Sequence, residues 1–133
     1  MSPNLTRYVY AARLASAHDG DTATLDVDLG FGTVRRDTFR LLGVQAPEVG
    51  GPNVGPEEKA AGAAARAWLL AALTGKDLVI VTVKDRREGR GRYLASVYVD
   101  GVSVAESMIA AGHACAYDGQ GKAPKWQAPG VWA

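Results

Sequence analysis

Thr22-Ala23-Thr24-Leu25-Asp26-Val27-Asp28-Leu29 alternates along its whole length, with Ala23, Leu25, Val27 and Leu29 on one face and Thr22, Thr24, Asp26 and Asp28 on the other. A period of two sends successive side chains to opposite faces, so this stretch predicts a half-buried β-strand. Upstream, His18-Asp19-Gly20-Asp21 carries an Asp-Gly turn signal, and Tyr8 to Ala17 reads as a first strand of apolar and small residues. Downstream, Gly30-Phe31-Gly32 supplies a turn, and Thr33 to Val44 returns as a third strand with a basic outer part, Arg35 and Arg36. Three such strands in succession make an antiparallel meander.

The third strand runs into Phe39-Arg40-Leu41-Leu42-Gly43-Val44-Gln45-Ala46-Pro47-Glu48. Gly43 permits a bend, and Pro47 ends the ladder because it has no N–H to donate. Glu48 therefore sits where strand becomes loop. Arg40 stands inside an apolar run, where a guanidinium needs an acid or phosphate to meet its donors. Taken alone, these ten residues read as a structural Arg–Glu pair.

Gln45 to Gly55 reads as an irregular loop. Pro56 suits a first helical position, Glu57 and Glu58 complement the positive end of the dipole, and the alanine-rich helix reaches Leu73 before Gly75, with Trp68 as its expected anchor. Lys76 to Val83 and Tyr93 to Val99 read as the fourth and fifth strands. The loop between them holds Lys84, Arg86, Arg87, Arg90 and Arg92 against Asp85 and Glu88. After the Asp100-Gly101 turn, Ser103-x-x-Glu106 is a capping box for a short helix over Ala105 to Ala111, stopped by Gly112. Pro124 and Pro129 break the remainder, so 118–133 reads as an irregular tail in which Trp126 and Trp132 pack.

The order β-β-β-α-β-β predicts an α+β, mainly β fold: a five-stranded antiparallel barrel of the oligonucleotide-binding (OB) type, with a helix between strands three and four and a short C-terminal helix. With 133 residues, 47% hydrophobic and 22% charged, the whole chain, 1–133, reads as one globular domain. Its apolar runs are too short to cross a bilayer, so no membrane partner is expected. Nothing demands an oligomer, and a monomer is expected. The lone Cys115 rules out an internal disulfide framework and fits a reducing compartment. Met1 to Tyr10 holds no export signal, which makes the cytoplasm the expected location. A net charge of +1 leaves any affinity for nucleic acid to local clustering.

A barrel rim lets distant strand ends converge. Asp19 and Asp21 lie at one junction, Glu48 follows another strand, and Arg92 precedes the fifth. Separately, the aspartates read as a solvated turn and Arg92 as a solvated loop charge. Together, carboxylates would suit a hard divalent cation, two arginines would clamp a phosphodiester, and a glutamate would orient or deprotonate water. His18 and His113 lack the Cys or acidic spacing of a zinc site.

Asp19-Gly20-Asp21-Thr22, Phe39-Arg40-Leu41-Leu42 through Ala46-Pro47-Glu48, and Gly91-Arg92-Tyr93-Leu94-Ala95 follow one another with intervals that resemble the staphylococcal-nuclease (thermonuclease) family. The likeness runs from about His18 to Tyr117, including Gly55-Pro56-Glu57 and Ala111-Gly112. It is nearer to the short intracellular or phage-encoded members than to the secreted ones. The resemblance implies Ca²⁺-dependent hydrolysis of DNA and RNA, single-stranded or frayed, with little sequence preference, Mg²⁺ or Mn²⁺ being alternative metals. It casts Asp21 as a metal ligand with Asp19 in the outer shell, Glu48 as base, and Arg40 and Arg92 as phosphate clamp. Lys84, Arg90, Tyr93 and Tyr117 would contact substrate. One departure is Gln45, where the family usually has a second acidic ligand. Gln45 and the Ala46 carbonyl would then supply neutral oxygens, and the missing charge should weaken the site. Gln45 also supports the competing expectation, a non-catalytic OB module that has lost its metal.

Overall fold

The computed structural model describes residues 8–87, 89, 91–119 and 121–133, the side chains of residues 84–86 excepted. Its strands and helices are β1 (Val9–Asp19), β2 (Thr22–Asp28), β3 (Val34–Leu41), β4 (Gly43–Gln45), α1 (Pro56–Leu73), β5 (Leu78–Arg87), β6 (Tyr93–Val99), β7 (Val102–Ser103), α2 (Val104–Ala110), β8 (Cys115–Tyr117), β9 (Trp126–Gln127) and β10 (Val131–Trp132). The main sheet runs β3-β2-β1-β5-β6-β7, and an added pairing of β3 with β6 closes five strands into a barrel. Every neighbouring pair is antiparallel except that closing seam, where Phe39, Arg40 and Leu41 run parallel to Tyr93, Leu94 and Ala95. The expected barrel with two helices is thus present. No described helix is long and apolar enough to cross a membrane.

The alternation in β2 carries the interior: Ala23, Leu25 and Val27 are buried and join Phe39, Leu41, Ile80, Ala95 and Val97 in one apolar core. Leu29 departs from its predicted face, being exposed past the end of the strand beside the Gly30–Gly32 turn. Helix α1 spans the predicted residues and buries Ala65, Leu69 and Leu73 against the barrel. Its anchors are therefore the two leucines. Trp68 lies half-buried one position round the helix, beside the His113 ring. Ser103 caps the second helix as read, its Oγ accepting from the Glu106 N–H at 3.2 Å.

Three local breaks position the site. Two bulges interrupt β1: Leu14 faces Leu25 and Ser16 faces Thr24, leaving Ala15 extra, then Ala17 faces Ala23 and Asp19 faces Thr22, leaving His18 extra. The second bulge puts Asp19, instead of His18, opposite Thr22. The predicted third strand is also two strands. The chain turns at Gly43, whose φ of 92° suits a residue without Cβ, and β4 leaves the barrel to pair with β8. Finally, β5 runs on to Arg87, which faces Tyr93 across an irregular stretch read from sequence as loop. The tail is less irregular than expected, because β9 and β10 pair, and Trp126 lies beside Pro56 and Glu58 at the start of α1.

Candidate functional site

The junction of β1 and β2 holds the first part of the site. Asp19 and Asp21 are only 7% and 6% exposed, which corrects the solvated-turn reading. The Asp21 amide donates to Asp19 Oδ1 at 3.1 Å, while Asp21 Oδ1 accepts from Thr22 Oγ1 at 3.1 Å. Asp21 Oδ2 accepts from the Ala46 N–H at 2.9 Å and lies 3.2 Å from Arg40 Nη1. One carboxylate thereby joins the start of β2 to β3 and to the loop that leads to Glu48.

Burial pushes the Asp21 carboxyl up to about 7 from 3.8, helped by a hydrogen bond to Asp19 and by the charge of Asp19. Arg40 and the Ala46 amide pull the other way and lose, because desolvation is the largest effect. The junction is thus short of positive charge. In metal-free protein the folded state holds a proton between about pH 4 and pH 7 that the unfolded chain has released. The resulting stability is complete below the unfolded value and is lost as pH rises through 7. Urea unfolding in chelator should therefore show a loss of a few kcal/mol between pH 5 and pH 8. Asp21→Asn should remove that slope, and a slope unchanged by the substitution would place the titration on another group.

Two guanidiniums meet this junction from different strands. Arg40 faces Thr22 across the β2–β3 ladder and, besides its pair with Asp21, donates from Nη2 to Gln45 Oε1 at 2.8 Å. Asp21 thus supplies a carboxylate for this guanidinium, a partner that the ten residues around Arg40 do not contain. Arg92, just before β6, donates from Nη1 to Thr22 Oγ1 at 2.8 Å, so it is no simple loop charge. The arginines are held on consecutive residues, Asp21 and Thr22. Arg40 lines a groove of about 450 Å³ with Arg87, Leu94 and Tyr117, and Arg92 lines one of about 400 Å³ with His18, Thr24 and Thr38.

Glu48 is half-buried past Pro47, and its N–H donates to Glu58 Oε2 at 3.1 Å. Helix α1 lies hard against this loop: a Cβ at Gly62 would stand 2.4 Å from the Glu48 carbonyl oxygen and 2.9 Å from the Val49 nitrogen. Arg66 Nε donates to the Ala17 carbonyl at 2.8 Å and ties the same helix to β1. Sequence reasoning missed Glu58, Gly62 and Thr22 as supports. A glycine inside an alanine-rich helix, costly there, was the available signal for a close approach.

The other predicted residues separate. Pairing of β4 with β8 brings Tyr117 to the Arg40 groove, where its hydroxyl donates to the Gly121 carbonyl at 2.9 Å. Tyr93 lies in a different cavity, 6.1 Å from the Phe39 ring. Arg90 and the side chain of Lys84 fall outside the described residues. Gln45 directs its amide oxygen to Arg40. Among the described residues, no three His, Cys, Asp or Glu side chains are grouped to hold a metal.

No curated protein shows a significant match to the chain. The family model described as staphylococcal nuclease homologue matches residues 38–128, well over half of the sequence, taking in Arg40, Glu48 and Arg92. The matched span begins after Asp19 and Asp21, whose part in the site rests on the contacts above. With the closed barrel, the two helices and this match, the chain belongs to the staphylococcal nuclease homologue family.

Proposed function

We propose that this protein is a metal-dependent nuclease that hydrolyses phosphodiester bonds of DNA or RNA with low sequence specificity. The observation that carries the reading is the anchoring of Arg40 and Arg92 on the neighbouring residues Asp21 and Thr22. Two guanidinium forks at one strand end suit a phosphodiester, whose charge grows as water adds to phosphorus. Contacts of that kind carry no base information, which accounts for low specificity. Because Arg40 and Arg92 also line separate grooves, the strand has room on both sides of the clamp, which favours cleavage within a strand. Family membership supports the same chemistry.

Glu48 is the group that takes the proton of the attacking water or orients it. Its backbone is held by Glu58 and by the close approach of Gly62, so its position depends on α1. The donors at the junction fit a hard divalent cation such as Ca²⁺, since the buried Asp21 carboxyl, with Asp19 beside it and Arg40 as its ion-pair partner, holds a proton that a cation would displace. Asp21 would hold it, with Asp19 behind and neutral oxygens from Gln45 and Ala46 alongside. A bound cation would supply electrostatic stabilisation to the phosphate oxygens. Gln45, lacking charge and engaged with Arg40, makes this a weak site. Tyr117 is in place to contact the nucleotide beside Arg40.

A labelled single-stranded oligonucleotide incubated with Ca²⁺, Mg²⁺, Mn²⁺ or chelator tests the reading. Cleavage should require metal and fall by about 10²–10⁴-fold in Glu48→Gln. Gln45→Asp should lower the half-saturating Ca²⁺, and an unchanged value would remove residue 45 from the metal site. Intact substrate with every metal, but with salt-dependent binding retained, would identify a nucleic-acid-binding module instead.

A further inference from the structure

The mouth of the barrel forms a third cavity, about 190 Å³, which takes no part in the clamp. Tyr10, Phe39 and Tyr93 give it aromatic walls, and Arg35 and Asp37 stand at its edge. The Tyr93 hydroxyl oxygen accepts from Arg87 Nη2 at 2.8 Å and from Arg35 Nη2 at 3.4 Å. Their guanidiniums lie 4.3 and 5.5 Å from the centroid of the Tyr93 ring. Arg35 also pairs with Asp37 at 3.0 Å, so the two arginines and this aspartate leave one net positive charge. The phenol still has its own proton to donate. Two donors that line the cavity, Arg35 and the Tyr93 O–H, therefore stand above an aromatic floor, and Arg87 meets the same phenol from the side of the Arg40 groove.

A cationic rim over aromatic rings is the chemistry that takes a nucleobase together with its phosphate, the base stacking and the guanidiniums meeting the anion. The volume is below that of a drug-sized pocket and suits one planar group. Only an unstacked base can enter such a mouth, which points to a single strand. The cavity also adjoins the Arg40 groove: Val83 lines both, and Arg87 lines the groove while resting on Tyr93. We propose that the barrel mouth is an accessory subsite for one nucleotide of a single-stranded nucleic acid, next along the strand from the nucleotide beside Arg40. The inference rests on the nucleic-acid reading of that groove.

The test is fluorescence anisotropy with labelled oligothymidylates of graded length, from dinucleotide to dodecamer, at low salt in chelator. Wild-type affinity should keep rising beyond the dinucleotide. Arg35→Gln and Tyr93→Leu should each weaken dodecamer binding on the order of ten-fold and flatten the dependence on length. Arg35→Gln should also make the salt slope shallower by about 0.7, the loss of one phosphate contact on a single strand. Tyr93→Phe, which keeps the ring against Phe39, should lose less. Arg13→Gln removes an equal charge from an exposed pair with Asp77 and should retain the length dependence. Equal dodecamer affinities for Arg35→Gln and Arg13→Gln would overturn the subsite, as would a loss confined to Tyr93→Leu. Turnover is not the readout, so the two readings fail separately. Length-dependent binding without cleavage in metal would defeat the nuclease alone, and cleavage with unchanged affinity in the variants would defeat the subsite alone.

Discussion

An Arg40→Ala protein should lose cleavage by about 10³-fold or more, because one guanidinium is removed both from the phosphate and from Asp21. The effect on stability should depend on pH. Breaking a buried ion pair by removing one partner commonly costs about 3–5 kcal/mol, since the remaining charge is stranded. Asp21 has a way out, as its carboxyl already titrates near 7. At pH 5.5 it already carries its proton and the loss should be small, whereas at pH 8 the wild-type carboxylate is charged and the loss should be larger. Arg40→Lys separates the two roles: a point charge beside Asp21 should recover much of the stability, while the missing fork leaves turnover low. Urea unfolding at both pH values and single-turnover cleavage of an oligonucleotide check this. Equal destabilisation of Arg40→Ala at pH 5.5 and pH 8 would mean that the ion pair with Asp21 does not govern the site.

Gly62→Ala should destabilise the protein and lower turnover by about 10²-fold, although alanine is the better helix former by about 1 kcal/mol. The new Cβ would sit 2.4 Å from the Glu48 carbonyl oxygen and 2.6 Å from its carbon. Both are backbone atoms, which cannot turn aside as a side-chain tip can. Either the loop moves away from α1, taking Glu48 out of position, or the helix lifts off the barrel. Overpacking of this kind costs about 1–3 kcal/mol, which exceeds the helical gain. Ala64→Gly, at an exposed position of the same helix, loses propensity without touching the loop and should leave turnover intact. A Gly62→Ala protein more stable than wild type with full activity would show that the loop has slack and that the helix does not set the position of Glu48.

The elements legible in the sequence are those whose cause is local. Alternation over 22–29 marked β2, Pro56 and the alanine run marked α1 to its last residue, and Ser103 with Glu106 marked the start of α2. What stayed hidden depends on partners distant in the chain. The departure of β4 exists because β8, some seventy residues later, offers it a ladder, and the parallel seam needs β6 beside β3. Trp68 looked like the anchor by size, yet its angular position on α1 gives the burial to Leu69 and Leu73. For the site, the arginines could be found as charges out of place in apolar surroundings, but their partners could not. The resemblance gives Gln45 a place at the metal, and the fold adds a partner that the motif does not show, its amide oxygen accepting from Arg40. Glu58 looked like a helix-dipole residue, and only the folded loop shows its carboxylate accepting from the Glu48 amide.

The two unpaired residues in β1 make the length of that strand a specification in itself. Its first half is in phase with the core, where Leu14 meets Leu25. Its end is in phase with the acidic junction, where Asp19 meets Thr22. Ala15 and His18 are the spacers that reconcile these two phases, so their presence matters more than their side chains. Substitutions there should be easily absorbed, whereas a one-residue deletion would leave either the core or the carboxylate on the wrong face. Length variation in this protein therefore belongs to segments such as 50–55, beyond the residues that hold Asp21 and Glu48, while β1 has to be kept at its measure.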